Sequence, residues 1–187
     1  RQLSNLTISS DLKFVTYRLV KRTKSQETKV PYFVTESGQV ENKISREKVG
    51  APQDAYTLNV YNVEADSAYT LDTEQIKGIY DKPAFLKAYH KDKKAYKNKY
   101  DQARDVIIHG AFFSENGKKA VIVVRAMDNK DRWIMSLNLE SGKLKTIDRQ
   151  HDDAWIGGPG ISGWNFSSGN IGWLDNDRIW FQSEETG

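Results

Sequence analysis

Apolar and polar residues alternate along much of the chain, and this spacing is typical of β-strands with one buried face. In the first part of the chain the pattern predicts strands over residues 13–20, 56–63 and 68–71. Turn-forming residues precede the first of these strands at 9–11 and separate the other two at 64–67. The first part of the chain therefore predicts antiparallel strands joined by short turns.

Four further strands are predicted in the middle of the chain, over residues 107–113, 120–125, 132–139 and 144–147. Asn116-Gly117 lies between the first two, and Asn-Gly between apolar runs is the strongest short-range signal for a β-hairpin. The second strand contains four consecutive apolar residues, which predicts burial on both faces. These strands and their tight turns predict a four-stranded antiparallel meander.

The strand-turn-strand pattern begins again near the end of the chain, where residues 170–174 and 178–182 flank a turn at Asn176. The first turns of the successive units lie near Asp11, Asn116 and Asn176. Four-stranded meanders that recur along a chain are typical of β-propeller blades. We therefore predict an all-β fold, a partial β-propeller of about two and a half four-stranded antiparallel blades. A single β-sandwich domain is the alternative.

The predicted organisation is one partial β-propeller over residues 1–187. It has a first blade with an insertion at 1–72, an inter-blade helical insertion at 73–105, a second blade at 106–148, and a loop with an incomplete third blade at 149–187.

The helical insertion is lysine-rich and begins near Pro83, a residue suited to the first turn of a helix. Its aromatic residues Phe85, Tyr89, Tyr96 and Tyr100 fall on one helical face, with lysines around them. The segment can be interpreted as a basic surface for nucleic acid or anionic lipid, or as an excursion that packs its aromatic side chains on the sheet. We favour the second interpretation because acidic residues elsewhere nearly balance the charge.

Composition narrows the possible functions. The 28 Lys and Arg against 25 Asp and Glu give a net charge of +3, too even for a dedicated nucleic-acid binder. The absence of Cys excludes disulfide scaffolds, Cys-based zinc sites and Cys nucleophiles. No apolar run approaches the roughly 18 residues of a spanning helix, so we expect no membrane contact from this segment. The chain has no initiator Met or signal peptide, and we expect it to be a processed piece of a longer protein.

The residues offer no convincing catalytic centre. Ser162 lies in the nearest match to G-x-S-x-G, but Trp164 stands where the last Gly is needed, so we interpret Ser162 as a loop residue. His90 and His109 lack a context that favours catalysis. His151, in His151-Asp152-Asp153, is interpreted as part of a polar connecting loop and not as a metal ligand. We therefore predict no catalytic residue, no metal and no cofactor in this chain.

The loop over residues 155–166 is unusually rich in aromatic residues and glycine, and carries Trp155, Trp164 and Phe166. Such a loop can present flat apolar surfaces to a ligand, which makes these three residues candidates for facing a substrate. In the other interpretation, the tryptophan side chains fill the space between blades. The sequence leaves both interpretations open.

Several short motifs resemble one family in their order and spacing. They are Arg132-Trp133-Ile134-Met135, Glu140-Ser141-Gly142, Arg149-Gln150-His151, Trp155-Ile156-Gly157, Asp175 and the segment 181–187. Upstream, Lys48-Val49-Gly50-Ala51-Pro52 resembles a Lys-x-Gly-x-x-Asn-Pro segment, although the Asn is absent here. Over residues 48–187 the chain resembles the N-terminal propeller of prolyl oligopeptidase-family serine peptidases, in the bacterial form of the dipeptidyl peptidase IV subfamily.

The resemblance implies that the propeller caps a C-terminal α/β-hydrolase domain of the same parent chain. In that family the cap restricts entry to small peptides and helps bind the N-terminal end of the peptide substrate. The catalytic Ser, Asp and His lie in the hydrolase domain and have no counterpart here, so this fragment is expected to be inactive. The parent is expected to be an exported bacterial serine exopeptidase, periplasmic or extracellular.

The resemblance also bears on individual residues. The subfamily's Glu-Glu pair for the substrate amine lies upstream of the Lys-x-Gly segment, so Glu184-Glu185 is not that pair. Gly158-Pro159-Gly160 replaces a family Arg that approaches the substrate, which leaves only the aromatic part of that role, for Trp164 or Phe166.

Two other classes of function stay open. One is a non-enzymatic β-propeller that binds a peptide or a glycan through the loop 155–166, and the other is a purely structural β-domain. For any of these classes we expect self-association, because an incomplete array of blades leaves apolar faces and strand edges uncovered.

Overall fold

The computed structural model describes residues 1–24, 27–47, 51–84, 101–161 and 167–185. Within these ranges the chain is all-β, with strands arranged in small antiparallel sheets. The strands are β1 (Gln2–Ile8), β2 (Phe14–Lys21), β3 (Thr28–Tyr32), β4 (Glu41–Ser45), β5 (Ala55–Asn62), β6 (Ser67–Thr70), β7 (Val106–Phe113), β8 (Ala120–Ala126), β9 (Asp131–Leu137), β10 (Leu144–His151), β11 (Ile171–Trp173) and β12 (Ile179–Phe181).

The first sheet has the strand order β1-β2-β5-β6. β2 and β5 pair along their whole length, from Phe14 opposite Asn62 to Lys21 opposite Ala55. The connection between them carries a separate hairpin of β3 and β4. The sequence pattern predicted β2, β5 and β6, but it assigned neither β1 nor the hairpin to strands.

The second sheet is a meander in which β7, β8, β9 and β10 pair in sequence order. Every residue of β8 is buried, as its run of apolar residues predicted. β10 continues to His151 and is therefore longer than the predicted strand over 144–147. The prediction that His151 lies in a connecting loop was wrong, because its backbone pairs with Asp131 of β9.

A third, two-stranded sheet of β11 and β12 follows the second, as the restarted pattern predicted. The described residues thus contain two four-stranded sheets and two two-stranded sheets, the β3–β4 hairpin and the β11–β12 pair. The predicted helix over 83–100 lies almost entirely outside the described residues.

The three sheets stack in sequence order, and the second sheet is covered on both faces. One face packs against the first sheet in the main core, where Leu58 and Val60 of β5 meet Ile108 of β7 and Ile122 of β8. The other face contributes Val121, Val123 and Ile134, which are packed against by Phe112, Ile171, Trp173, Ile179 and Phe181. A sandwich has two sheets around one shared core, so this stacking does not fit the alternative considered from the sequence.

The first turns of the three sheets lie side by side. A Cβ atom added to Gly117, in the β7–β8 turn, would lie 2.6 Å from the backbone nitrogen of Asp11 in the β1–β2 turn. On the other side, Asn116 donates its backbone N–H to Asn176 Oδ1 in the β11–β12 turn at 2.8 Å. Corresponding turns of successive meanders therefore touch in a row, as they do in the blades of a propeller, and the predicted partial β-propeller is confirmed.

Among the described residues, no helix has the length and apolar character needed to cross a membrane.

Candidate functional site

The first strands of the three stacked sheets line one groove. β1, β7 and β11 each lie at the edge of their sheet, and the groove between them has a volume of about 780 Å³. We call it the inner groove. Its lining residues are Asn5, Thr7, Ile8, His109, Gly110, Ala111, Phe112, Phe113, Ser167, Ser168, Gly172 and Trp173.

Two β-bulges lie in strands that line the inner groove. β1 shifts register between Ser4 and Thr7, and Asn5 there has a φ of 50°. β7 shifts register between His109 and Phe112, and Gly110 there has a φ of 105°. A bulge leaves a residue out of the ladder and bends the strand, and bulges are frequent beside binding sites because they redirect side chains. The paired bulges therefore shape the wall of the groove.

The lining of the inner groove contains no Asp, Glu, Lys or Arg and is partly aromatic. It combines the hydroxyl and amide groups of Asn5, Thr7 and Ser167 with the rings of Phe112 and Trp173. His109 is 6% exposed. Open clefts with apolar walls and a few polar groups are the usual form of a ligand site.

Hydrogen bonds fix the groove walls to one another. Trp173 of β11 donates Nε1–H to the carbonyl oxygen of Phe112 at 3.1 Å, which joins the third sheet to β7. Arg18 of β2 donates to the carbonyl oxygen of Ile108 at 3.5 Å, which joins the first sheet to β7. Burial lowers the pKa of Arg18, because a charged guanidinium loses hydration there.

Two buried arginines hold the segment that forms the third wall. Arg125 of β8 and Arg132 of β9 are direct cross-strand partners and are 1% and 0% exposed. Arg125 donates to the carbonyl oxygen of Ser167 at 3.2 Å, and Arg132 donates to that of Ser168 at 2.9 Å. Arg132 also donates to the carbonyl oxygen of Gln182 at 3.2 Å. The pair therefore joins the second sheet to the residues that precede β11 and to the residue that follows β12.

Burying the guanidinium groups of Arg125 and Arg132 side by side is electrostatically unfavourable. Burial lowers the pKa of Arg125 to about 10, and the neighbouring charge of Arg132 adds to the effect. Burial also lowers the pKa of Arg132, while the charge of Asp148 opposes that change. Two like charges side by side under the surface leave a positive field around the segment that they hold.

The glycine-rich loop over residues 155–166 precedes Ser167 in the chain. Hydrogen bonds anchor the start of this loop. Asp152 accepts hydrogen bonds from the backbone N–H groups of Ala154 and Trp155, at 2.6 and 2.7 Å. Ile156 is buried and donates its backbone N–H to the carbonyl oxygen of Asn129 at 2.8 Å. Trp155 is 51% exposed.

Three residues were proposed from the sequence to face a substrate, and Trp155 is the one of them that the structure describes. Ser162, Trp164 and Phe166 lie outside the described residues, as does His90. Trp155 is not among the residues that line the inner groove. The substrate-facing role of Trp155, Trp164 and Phe166 stays a prediction.

A second polar cluster surrounds the buried carboxylate of Asp131, at the start of β9. Asp131 accepts hydrogen bonds from Arg104 at 2.6 Å and Arg149 at 2.8 Å, and its Oδ1 lies 3.0 Å from His151 Nδ1. Burial alone would raise the pKa of Asp131, but the hydrogen bonds and charges of Arg149 and Arg104 outweigh it, so the pKa lies below the usual 3.8.

The same arginines lie over the ring of Trp133, at 5.3 Å for Arg104 and 5.5 Å for Arg149. Trp133 in turn donates Nε1–H to the carbonyl oxygen of Lys77 at 3.1 Å. Arg104 also donates to the carbonyl oxygen of Gly78 at 2.8 Å and Arg149 to Asp81 at 2.6 Å, so the two arginines fasten the segment between the first two sheets, which is a structural role. Within the described ranges, no three His, Asp or Glu side chains are placed to hold a metal ion.

Sequence reasoning missed both the inner groove and the arginine pair. Neither bulge follows from residue spacing: Gly110 occurs in an otherwise ordinary strand pattern, and the pattern around Asn5 did not predict a strand. The arginines gave a weak signal: Arg125 and Arg132 flank a tight turn, so a hairpin there places them opposite each other.

No protein-family model matches the chain, and no curated protein matches it. The chain is similar to the crystal structure of dipeptidyl peptidase 4 from Porphyromonas gingivalis, with 15% identity and a TM-score of 0.47 over 79% of this chain and 17% of that chain. It is also similar to a protein assigned as a dipeptidyl aminopeptidase IV in Bacteroides ovatus, with 9% identity and a TM-score of 0.48 over 81% of this chain and 18% of that chain. The chain therefore spans less than a fifth of the length of either protein.

Proposed function

We propose that the chain is the propeller part of an exported serine exopeptidase of the dipeptidyl peptidase type, in which it gates access and forms part of the wall that faces the substrate. The motifs between residues 132 and 187 support the family, because they follow one another in the family's order. The observation that carries the role in access is the inner groove, which the innermost strand of each sheet lines.

The shape and chemistry of the groove suit an extended peptide. The bulges at Asn5 and Gly110 take residues of both walls out of their ladders. Main-chain groups left out of a ladder are available to bind another backbone. Aromatic side chains beside them supply apolar contact for the peptide's side chains.

In this proposal the hydrolase domain of the same parent chain performs the chemistry. The family resemblance assigns the nucleophile, base and orienting acid to that domain. The propeller positions the peptide substrate and restricts entry to small peptides. Both effects act on kcat/KM through binding of the substrate and not through bond breaking. The periplasm or the extracellular space is the proposed location.

The aromatic loop supplies the test. In the full-length parent, Trp164→Ala is expected to lower kcat/KM for X-Pro and X-Ala chromogenic dipeptides by the equivalent of about 1–3 kcal/mol, the scale of one lost apolar contact. Phe33→Ala is the matched control, since Phe33 is an exposed aromatic residue on the β3–β4 connection. The isolated chain is expected to hydrolyse neither substrate. A folded Trp164→Ala enzyme with unchanged kinetics would assign Trp164 to packing.

The alternative is a binding module for a peptide or glycan that has no attached peptidase. Sugars stack on aromatic rings, so the aromatic lining of the inner groove, which contains no Asp, Glu, Lys or Arg, favours this alternative. The parent sequence separates the two proposals: a G-x-S-x-G elbow a few hundred residues downstream is expected for the peptidase and absent for the binding module.

A further inference from the structure

We propose that β4 of the β3–β4 hairpin pairs edge to edge with β4 of a second copy of the chain. The two hairpins then form one antiparallel sheet with the strand order β3-β4-β4-β3. In the part of the chain that the structure describes, β4 pairs with β3 alone, and every residue of β4 is exposed. A strand edge that is left open in this way can pair with another chain.

The two outer edges of the hairpin differ in what they offer. Pro31 of β3 lies opposite Asn42 of β4. Because proline has no N–H to place in the ladder, the main-chain groups of this pair point outwards, and the outer edge of β3 lacks a donor at Pro31. Pairs alternate along an antiparallel ladder, so Asn42 and Ile44 both direct their N–H and C=O groups to the outer edge of β4. The open edge is therefore that of β4.

The charges of β4 select one register for this pairing. With the two-fold axis at Asn42, Glu41 of each copy faces Lys43 of the other, in a pair without main-chain hydrogen bonds, where side chains lie closest. An axis at Lys43 places two lysines opposite each other, and an axis at Ile44 places Glu41 opposite Glu47. Opposite charges across strands stabilise a sheet and like charges destabilise it, so the axis lies at Asn42.

Apolar side chains match in the same register. Ile44 of each copy faces Val40 of the other, and these residues are 68% and 58% exposed in the single chain. Asn42 lies opposite Asn42 between these two apolar pairs. The outward main-chain groups of Asn42 and Ile44 then meet the main chain of the other copy, and the apolar side chains lose contact with water.

Lys43 can reach the facing carboxylate without leaving the hairpin. Its Nζ lies 3.5 Å from the centre of the Tyr32 ring, on the face of the hairpin that also carries Glu41. A lysine stem can stay against an aromatic ring while its ammonium group turns to a carboxylate. Both charged side chains are exposed, so their ion pairs add little affinity and mainly decide the register.

The contact is small. A single pair of strand edges buries less surface than a stable protein–protein interface, so we expect a dissociation constant on the order of 100 µM. Dilute chain is then unpaired at the hairpin, and concentrated chain is paired.

Charge reversal tests the register. Glu41→Lys places a second lysine opposite Lys43, and Lys43→Glu places two glutamates opposite each other. In sedimentation equilibrium at low salt, we expect each variant to pair about fivefold more weakly than the unsubstituted chain. An equimolar mixture of the two variants restores opposite charges and is expected to recover the pairing. Lys29→Glu and Glu36→Lys are the controls, since they make the same charge changes at exposed hairpin positions outside the paired edge.

Cross-linking tests the position of the axis. The chain has no Cys, so Asn42→Cys supplies a single thiol. Two such thiols lie next to each other at the axis, and a short bismaleimide is expected to join them at least tenfold faster than it joins Ser37→Cys. Ser37 is the control because it lies in the hairpin loop, and the two loops point away from each other in an antiparallel pairing.

Circular dichroism establishes that the variants are folded. Charge variants that pair as the unsubstituted chain does, or a mixture that does not recover the pairing, would overturn the proposal. Equal cross-linking of Asn42→Cys and Ser37→Cys would overturn it as well. These outcomes leave the proposed peptidase role untouched, since the pairing does not depend on it.

Discussion

At the scale of single residues, the contacts that matter most join residues far apart in sequence. Asn116-Gly117 was predictable as a hairpin turn, because the dipeptide itself favours positive φ. Its contacts with Asp11 and Asn176 were not predictable, since they depend on how neighbouring sheets stack. The partners of Asp131 follow the same rule, with Arg104 and Arg149 brought to it from opposite sides along the chain.

Gly117 gives a direct test of the turn row. Its φ is +73° and an added Cβ would lie 2.6 Å from the Asp11 nitrogen. Gly38 also has a positive φ, +67°, but open space around it. We expect Gly38→Ala to lower the free energy of unfolding by about 1 kcal/mol through backbone strain alone, and Gly117→Ala to lower it by more than about 2 kcal/mol. Urea denaturation measures both, and equal losses would mean that the turns do not press on each other.

The buried carboxylate of Asp131 predicts that the free energy of unfolding depends on pH. Its folded pKa lies below the unfolded value of 3.8, so its stabilising contribution is present above that pH and is lost as the pH falls through the folded pKa. We expect Asp131→Asn to lower the free energy of unfolding by about 3 kcal/mol at pH 7, because it removes the buried carboxylate that Arg104 and Arg149 share. The exposed pair of Lys13 and Glu64 provides the control, since Glu64→Gln should cost less than about 1 kcal/mol. The difference in unfolding free energy between Asp131→Asn and the unsubstituted chain should shrink in acid. A difference that stays constant would contradict this assignment.

At the scale of elements, strands with a strong apolar pattern were predictable and weakly patterned ones were not. β8 stood out because its residues are apolar on both faces, and the structure covers both faces. The β3–β4 hairpin was missed because it buries almost nothing: β4 is exposed throughout, so no alternation marks it. The bulge in β7 was missed for a different reason, because a strand pattern does not record its register, and β1 itself was not predicted as a strand.

Hydrogen exchange should separate these two kinds of strand. An isolated two-stranded hairpin is marginally stable in water, whereas a central strand with both faces covered opens only with the whole domain. We expect backbone amides of β3 and β4 to exchange at least a hundredfold faster than those of β8. Mass spectrometry of peptides from the exchanged chain measures the rates. Comparable protection in the two regions would mean that the hairpin is covered in solution by something other than this chain.

At the scale of the whole molecule, the first and third sheets of the stack leave apolar side chains exposed. Leu6 on β1 and Leu174 beside β11 are each more than half exposed. The stacking itself was predictable from the repeated meanders, but the groove at its inner edge was not, because it depends on the distance between sheets.

These open surfaces support the expectation of self-association. Uncovered apolar faces and strand edges favour contact between copies. We expect light scattering to give a mass that rises with concentration above 21.4 kDa, and either Leu6→Ser or Leu174→Ser to reduce the rise. Val34→Ser, on the connection between β3 and β4, is the control. A strictly monomeric chain would contradict the expectation, and a response to Val34→Ser alone would place the contact on the hairpin.

The strands of the stacked sheets end at two opposite rims of the molecule, and the touching first turns lie together at one of them. The connections at these two rims differ in length. The connections at the rim of Asp11, Gly117 and Asn176 are all short, whereas the three long connections, 22–54, 71–105 and 152–170, leave from the opposite rim. A lengthened turn in the row would have to push its neighbours apart, but a lengthened connection on the other side has solvent to grow into. The first rim is therefore closed to insertion and the second is permissive. Fluorescent tags, affinity handles and split reporters should be tolerated at the second rim alone, and the variation by which such chains acquire new specificities should accumulate there.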